Sequence, residues 1–268
     1  MKEDKSNIND PTLSVDLSEA TQAVKENRFE DALILFEIIL KDHPNNIDAL
    51  YLASVSSRYL KKFDDSQKYI ENLLLNAPDM GRAYQELGHI NRDMGNDEKA
   101  VINYRQACEL NPALLASWNM LYQYFVKHKN QPAADHAQQQ IKKLESLPPA
   151  LLYIDQILNE GRLGLAERQC RAFLQKNPTH TYAMSLLSEI ANRLGYFDDA
   201  EFLLEKAVEF KPKDGDLRMQ YAAILRKKQK FAKTMEQVNI LCNQYPDTVS
   251  YTHLRAHETP EQRGCRRG

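Results

Sequence analysis

GRAYQELGHINRDMGNDEKAVINYRQACELNPAL, residues 81–114, is the stretch that decides the fold. Tyr84, Leu87 and Gly88 mark one face of its first half, Ala100, Tyr104 and Ala107 one face of its second, and Gly95 lies between them. Steps of three and four residues on either side of a glycine predict two amphipathic helices joined by a tight turn. Pro112 ends the second helix, because proline lacks the N–H that a helix interior needs and clashes with the preceding turn. Outward from this segment the proline recurs. Pro44, Pro78 and Pro112 stand 34 residues apart, and Pro178, Pro212 and Pro246 repeat that step. A period of 34 is the length of one helix-turn-helix unit, so the regular helix ends imply stacked copies of it. Seven units follow: 13–46, 47–80, 81–114, 115–148, 147–180, 181–214 and 215–248. The fourth and fifth overlap, because Pro112 and Pro178 are 66 residues apart, two short of twice the period.

Composition agrees with stacked helices. The chain of 268 residues is 43% hydrophobic and 27% charged with nine glycines, which suits helices that each bury one stripe. Such an array grows by adding neighbours and needs no central core. A formal charge of −2 supplies no general attraction for nucleic acid or an acidic membrane, so neither partner is expected. The first twelve residues are polar, without the apolar run of a secretory signal, and no stretch reaches membrane-span length. A soluble, cytoplasmic protein is the expectation. Cys108, Cys170 and Cys242 fall where helices face their neighbours, and the scatter of the four cysteines argues for reduced core thiols over a disulfide framework.

With the period in hand, the units resemble tetratricopeptide repeats. That family carries a bulky residue at place 4, Leu and Gly at 7 and 8, Ala at 20, a large residue at 24, Ala at 27 and Pro at 32. The third unit matches at Tyr84, Leu87, Gly88, Ala100, Tyr104, Ala107 and Pro112, and the sixth at Leu187, Ala200, Leu204, Ala207 and Pro212. The second places Ser54 and Ser66 at the small positions, and the seventh has Thr234 in the alanine place. Small residues at places 8, 20 and 27 let helix axes close while larger ones interdigitate around them. The resemblance implies an all-α, right-handed superhelical solenoid of about seven tetratricopeptide units.

Two regions depart from the pattern. The first helix of the first unit, from about Val15 to Glu26, is polar, as suits a terminal cap, and residues 1–12 are expected to be disordered. The fourth unit has Pro132 just inside its second helix and runs into Leu147-Pro148-Pro149, which cannot continue a helix. Residues 145–150 therefore read as a two-residue phase slip or small hinge between a block at 13–146 and one at 147–248.

Catalytic chemistry is absent from the sequence signals. There is no glycine-rich phosphate loop, nucleophile elbow, or kinase or dinucleotide fingerprint, and no cofactor is expected. His89, at place 9 of a first helix, is expected to line an inner groove with Gln85 and Arg92, beside Asn119, Gln123 and Lys127 on the next first helix. A polar groove of this kind suits a protein or peptide ligand. The carboxylate clamp of chaperone-binding repeats needs converging Lys, Asn and Arg. Its places hold Leu17 and Thr21, then Leu52, then Arg82 and Glu86, so no clamp is present.

Beyond Pro246 the pattern stops. His253 and His257, with Cys242 and Cys265, are zinc-type ligands, but no metal site is expected, because residues 249–259 resemble the translation of a sequencing-library adapter. On that reading 249–268 is a non-native tail. It holds four of the 35 basic and two of the 37 acidic residues, leaving −4 for the rest. Residues 110–118, 161–163 with 166–174, and 198–205 resemble the N-terminal repeats of bacterial tetratricopeptide-repeat sulfotransferases, in which a catalytic domain using the sulfuryl donor PAPS follows. That resemblance implies a non-catalytic interaction region whose partner is a protein, a peptide or its own missing C-terminal domain. A standalone adaptor is the alternative.

Overall fold

A computed structural model describes residues 11–245, which contain fourteen α-helices and no strand. They divide into two compact units between Leu147 and Pro148. The first holds α1 (Pro11–Lys25), α2 (Phe29–Asp42), α3 (Ile47–Tyr59), α4 (Phe63–Asn76), α5 (Gly81–Asp93), α6 (Asp97–Leu110), α7 (Leu115–Lys127) and α8 (Gln131–Glu145). The second holds α9 (Pro149–Asn159), α10 (Leu163–Lys176), α11 (Thr181–Arg193), α12 (Phe197–Phe210), α13 (Gly215–Lys227) and α14 (Phe231–Gln244). The helices pair as the period predicts, four pairs in the first unit and three in the second. Pro44, Pro78, Pro112, Pro178 and Pro212 each follow the residue that caps a second helix. Pro246 lies outside the described residues.

Each pair turns on one residue with positive φ: Asn27, Lys61, Gly95, Lys129, Gly161, Gly195 and Gln229. At Gly95 the amide of Asn96 donates to the Asn91 carbonyl at 2.8 Å, and at Lys61 that of Lys62 donates to the Ser57 carbonyl at 2.9 Å. These six-to-one bonds satisfy carbonyls that the helix end leaves open, and they require a left-handed residue. The seven residues also locate the phase slip. Lys129 and Gly161 are 32 apart and every other successive pair 34, whereas α9 starts 34 residues after α7. The two missing residues are therefore those that would open α9, which has 11 residues against 13 in α7, so the slip falls at the α8–α9 junction, within the 145–150 stretch that the prolines pointed to. At the N-terminus α1 begins at Pro11, so residues 11 and 12 are helical, while 1–10 lie outside the described residues.

Packing runs between sequence neighbours. Ala20, Ala23, Ala32, Phe36, Ala49 and Ala53 join the first two pairs, and Leu50, Ile70, Leu73, Ala83 and Ile90 the second and third. In the second unit Leu151, Ile154, Leu158, Ala166, Cys170 and Ile190 form the corresponding cluster. The small places do what close approach demands. A Cβ at Gly88 would sit 2.6 Å from the Tyr104 ring of α6. In the second pair Ser54 and Ser66 are fully buried, and each hydroxyl donates to the other's carbonyl at 2.8 Å, joining α3 to α4. Cys108 and Cys170 are buried, and burial pushes both thiols up to about 12. Cys242 is only half-buried, short of the core position expected for it.

Candidate functional site

In the first unit the first helices α3, α5 and α7, expected to form the inner face, meet through side chains from one pair to the next. Arg58, in the last turn of α3, donates from Nε to Glu86 Oε1 at 2.6 Å and from Nη1 to Asp93 Oδ2 at 3.2 Å, both on α5. Its guanidinium also lies 4.6 Å from the centre of the Tyr59 ring, which stacks on Phe29 at 4.3 Å. Glu86 is buried. Burial raises its carboxyl pKa, and the Arg58 charge opposes that rise. For Arg58 burial likewise disfavours the charge, but the bonds and charge of Glu86 together with the bond to Asp93 raise its pKa on balance and keep the guanidinium ionised. Arg82 on α5 covers the Tyr51 ring of α3 at 4.8 Å.

The six residues expected to line the groove take different positions. Gln85 Oε1 accepts from the Ser117 hydroxyl at 3.0 Å, linking α5 to α7. His89 turns to the second helix of its own pair, where its Nδ1 lies 2.8 Å from the Tyr104 hydroxyl and the rings meet edge to face. Burial, helped by the charges of Arg58 and Arg92, lowers its pKa to about 4, so the ring is neutral near pH 7. Arg92 is exposed; it donates to Asp93 at 2.7 Å and lies against the Met120 sulfur of α7. Asn119 donates back to the Leu115 carbonyl of its own helix, Gln123 is exposed, and Lys127 reaches Asp97 at the start of α6 at 2.8 Å. The sequence reading missed Arg58 as the organiser of this face. A usable signal was there, since Arg58, Arg92 and Arg226 all occupy place 12.

First helices of the second unit are joined in the same manner. The Tyr182 hydroxyl donates to Asp155 at 2.6 Å, Ser185 to Gln220 at 2.6 Å, and Arg193 to the Leu158 carbonyl at 2.9 Å. Among the described residues no group of three or more His, Cys, Asp or Glu is placed to hold a metal ion, and no helix is long and apolar enough to cross a membrane. His253, His257 and Cys265 lie outside the described residues, as does the whole segment 249–268. Near pH 7 His89 is neutral, and the Glu86 carboxylate is held by Arg58.

Comparison with known proteins agrees with the repeat assignment. The tetratricopeptide repeat family matches residues 81–114 and 182–214, the pairs α5–α6 and α11–α12. No curated protein matches. A tetratricopeptide repeat protein from Parabacteroides merdae is 12% identical, with a TM-score of 0.44 over 90% of this chain and 96% of that one. MamA is 15% identical, with a TM-score of 0.42 over 72% of this chain and 95% of that one. The TPR2AB domain of yeast Sti1 in complex with pHSP90 is 13% identical, with a TM-score of 0.36 over 91% and 95%. The described residues are thus an all-α array of seven helix pairs, two of which match the tetratricopeptide repeat directly.

Proposed function

We propose that this chain is a protein-interaction scaffold whose first unit holds a peptide segment along α3, α5 and α7. The observation that supports it most is the fixing of Arg92 by Asp93, itself held by Arg58, so that a cation stands ordered on an exposed face beside Gln85, Gln123 and Lys127. Pre-ordered donors lose less entropy on binding than free ones. The ligand this favours carries carboxylates that Arg92 and Lys127 can reach. Selection of displayed random peptides on the full chain tests it. Acidic peptides should be recovered, and their affinity should fall about ten-fold on Arg92→Ser with Lys127→Ser, the scale of one or two charged contacts. Recovered peptides that ignore both substitutions would refute the reading.

A second reading rests on residues 110–118, 161–163 with 166–174, and 198–205, the blocks that resemble sulfotransferase repeats. Here the same scaffold is the interaction region of a larger, PAPS-dependent enzyme and supplies no chemistry itself. Longer sequence from the same gene decides it: a phosphate-loop Lys-Ser/Thr motif beyond residue 248 supports the enzyme, and a stop without one removes it.

A further inference from the structure

The residue that follows the left-handed turn caps the second helix of each pair, and in order these caps are Arg28, Lys62, Asn96, Asn130, Arg162, Tyr196 and Lys230. Six are cationic or amide side chains. Tyr196 is the exception, and it is 60% exposed. A tyrosine ring left in water at a position that otherwise carries polar groups is not needed to close the turn, because the other six pairs close it without one. Around Tyr196 the surface is divided, with Asp198, Lys227 and Lys228 on one side and apolar side chains on the other. Leu194 and Phe202, the latter 58% exposed, flank a groove of about 240 Å3 floored by Leu187, Ile190 and Ala191, between α10 and α12.

The charges around this groove are unequal in a telling way. Arg171 is paired with Glu167 at 2.9 Å, Lys228 with Asp198 and Glu201, and Lys227 lies over the Phe197 ring and donates to Asn192 at 2.8 Å. Asp199, exposed in the first turn of α12, has no ion-pair partner among the described residues. In the first pair the corresponding cap is a cation: Arg28 donates to Asp31, in the first turn of α2, at 2.9 Å. The sixth pair has exchanged that cation for an aromatic ring and kept the acid.

We infer that the groove at Leu194, Tyr196 and Phe202 is a second docking surface, separate from the inner face, for an amphipathic segment of a protein partner that inserts apolar side chains and places a Lys or Arg over Asp199. The partner thereby pairs with the one acid of this turn that Lys228 leaves without an ion pair among the described residues. Aromatic anchors in a groove with a charged rim are the usual build of a small peptide site.

Displayed random peptides are selected on the full chain bearing Arg92→Ser and Lys127→Ser, so that the outcome is independent of the inner-face reading. Expected are peptides with at least two apolar anchors and a basic residue. Their affinity should fall about ten-fold on Tyr196→Lys, as for loss of an aromatic anchor. On Asp199→Asn it should fall about three-fold, and less in high salt. Tyr196→Lys places at this turn the residue that Lys62 and Lys230 already provide, and Phe202→Arg repeats Arg168, so both variants should keep the helical circular dichroism of the parent. An empty selection, peptides without a basic residue, or affinities indifferent to both Tyr196→Lys and Phe202→Arg would overturn the proposal. So would a dimer in sedimentation that Tyr196→Lys dissolves, which makes a second copy the occupant, or binding to phosphatidylcholine vesicles lost in the same variant, which makes it lipid.

Discussion

Gly88 and His89 are adjacent, and both owe their surroundings to Tyr104. The ring fills the space that a Gly88 side chain would need, so Gly88→Ala should cost about 1–3 kcal/mol through overpacking, read as a lower urea midpoint at unchanged slope. His89 gives a pH signature. Its pKa drops from 6.5 unfolded to about 4 folded, so the unfolded chain binds the extra proton between those values. The stability it supports is complete above pH 6.5 and is lost as the pH falls towards 4, by about 3 kcal/mol at most from the size of the shift. Glu86, shifted upward from 4.5, acts in the opposite sense over its own window, so the wild type must be compared with His89→Gln: unfolding at pH 7, 5.5 and 4.5 should show a shallower loss in the variant. Equal loss in both would mean the histidine is not buried as described. The glycine's role was legible in the sequence, because place 8 fixes a close approach. The histidine's direction was not, since place 9 allows a side chain to reach either the groove or the second helix, and the Tyr104 hydroxyl decides between them.

Between elements, the ion pair from α3 to α5 and the left-handed turns matter most. Arg58→Met leaves the Glu86 carboxylate buried without its partner and should cost about 3–5 kcal/mol, whereas adding Glu86→Leu should restore most of that loss, because desolvating a buried pair offsets much of its attraction. Urea unfolding of both variants measures the difference. At the turns, Lys61, Lys129 and Gln229 hold positive φ with a side chain that disfavours it. Lys61→Gly should raise stability by about 0.5–1 kcal/mol, the left-handed cost removed less the added chain entropy; no gain would place that strain elsewhere. Helix ends were legible at every described rung of the proline ladder, since proline acts within a few residues of itself. Arg58 with Glu86 was not, because partners 28 residues apart are fixed by packing between pairs and leave no local mark.

At the scale of the molecule, each pair buries its core against its sequence neighbours, so local damage should stay local. Each compact unit carries its own buried clusters, and residues 1–147 expressed alone should give a helical circular dichroism spectrum and a cooperative urea transition. A featureless, non-cooperative melt would show that this stretch needs the rest of the chain. Fold class and pair count were legible because a repeated unit states its pattern several times over. The inner-face candidates were less so: residue type predicted polarity, but whether Lys127 turns to Asp97 or to a ligand depends on an acid from the preceding pair.

The shortened α9 changes how repeats of this kind are best aligned. Two missing residues release the chain roughly 200° further back around the helix than a full-length first helix would, at about 100° per residue. Positions counted forward from the start of α9 therefore fall on the wrong face when superposed on its sisters, while those counted back from Gly161 fall on the right one. Proline is missing from its usual rung in the fourth pair, where Ser146 stands, but the left-handed residue is present in all seven. Anyone transplanting a pair into another array, or building an averaged repeat from these seven, should set the splice by the turn and let the proline fall where it will.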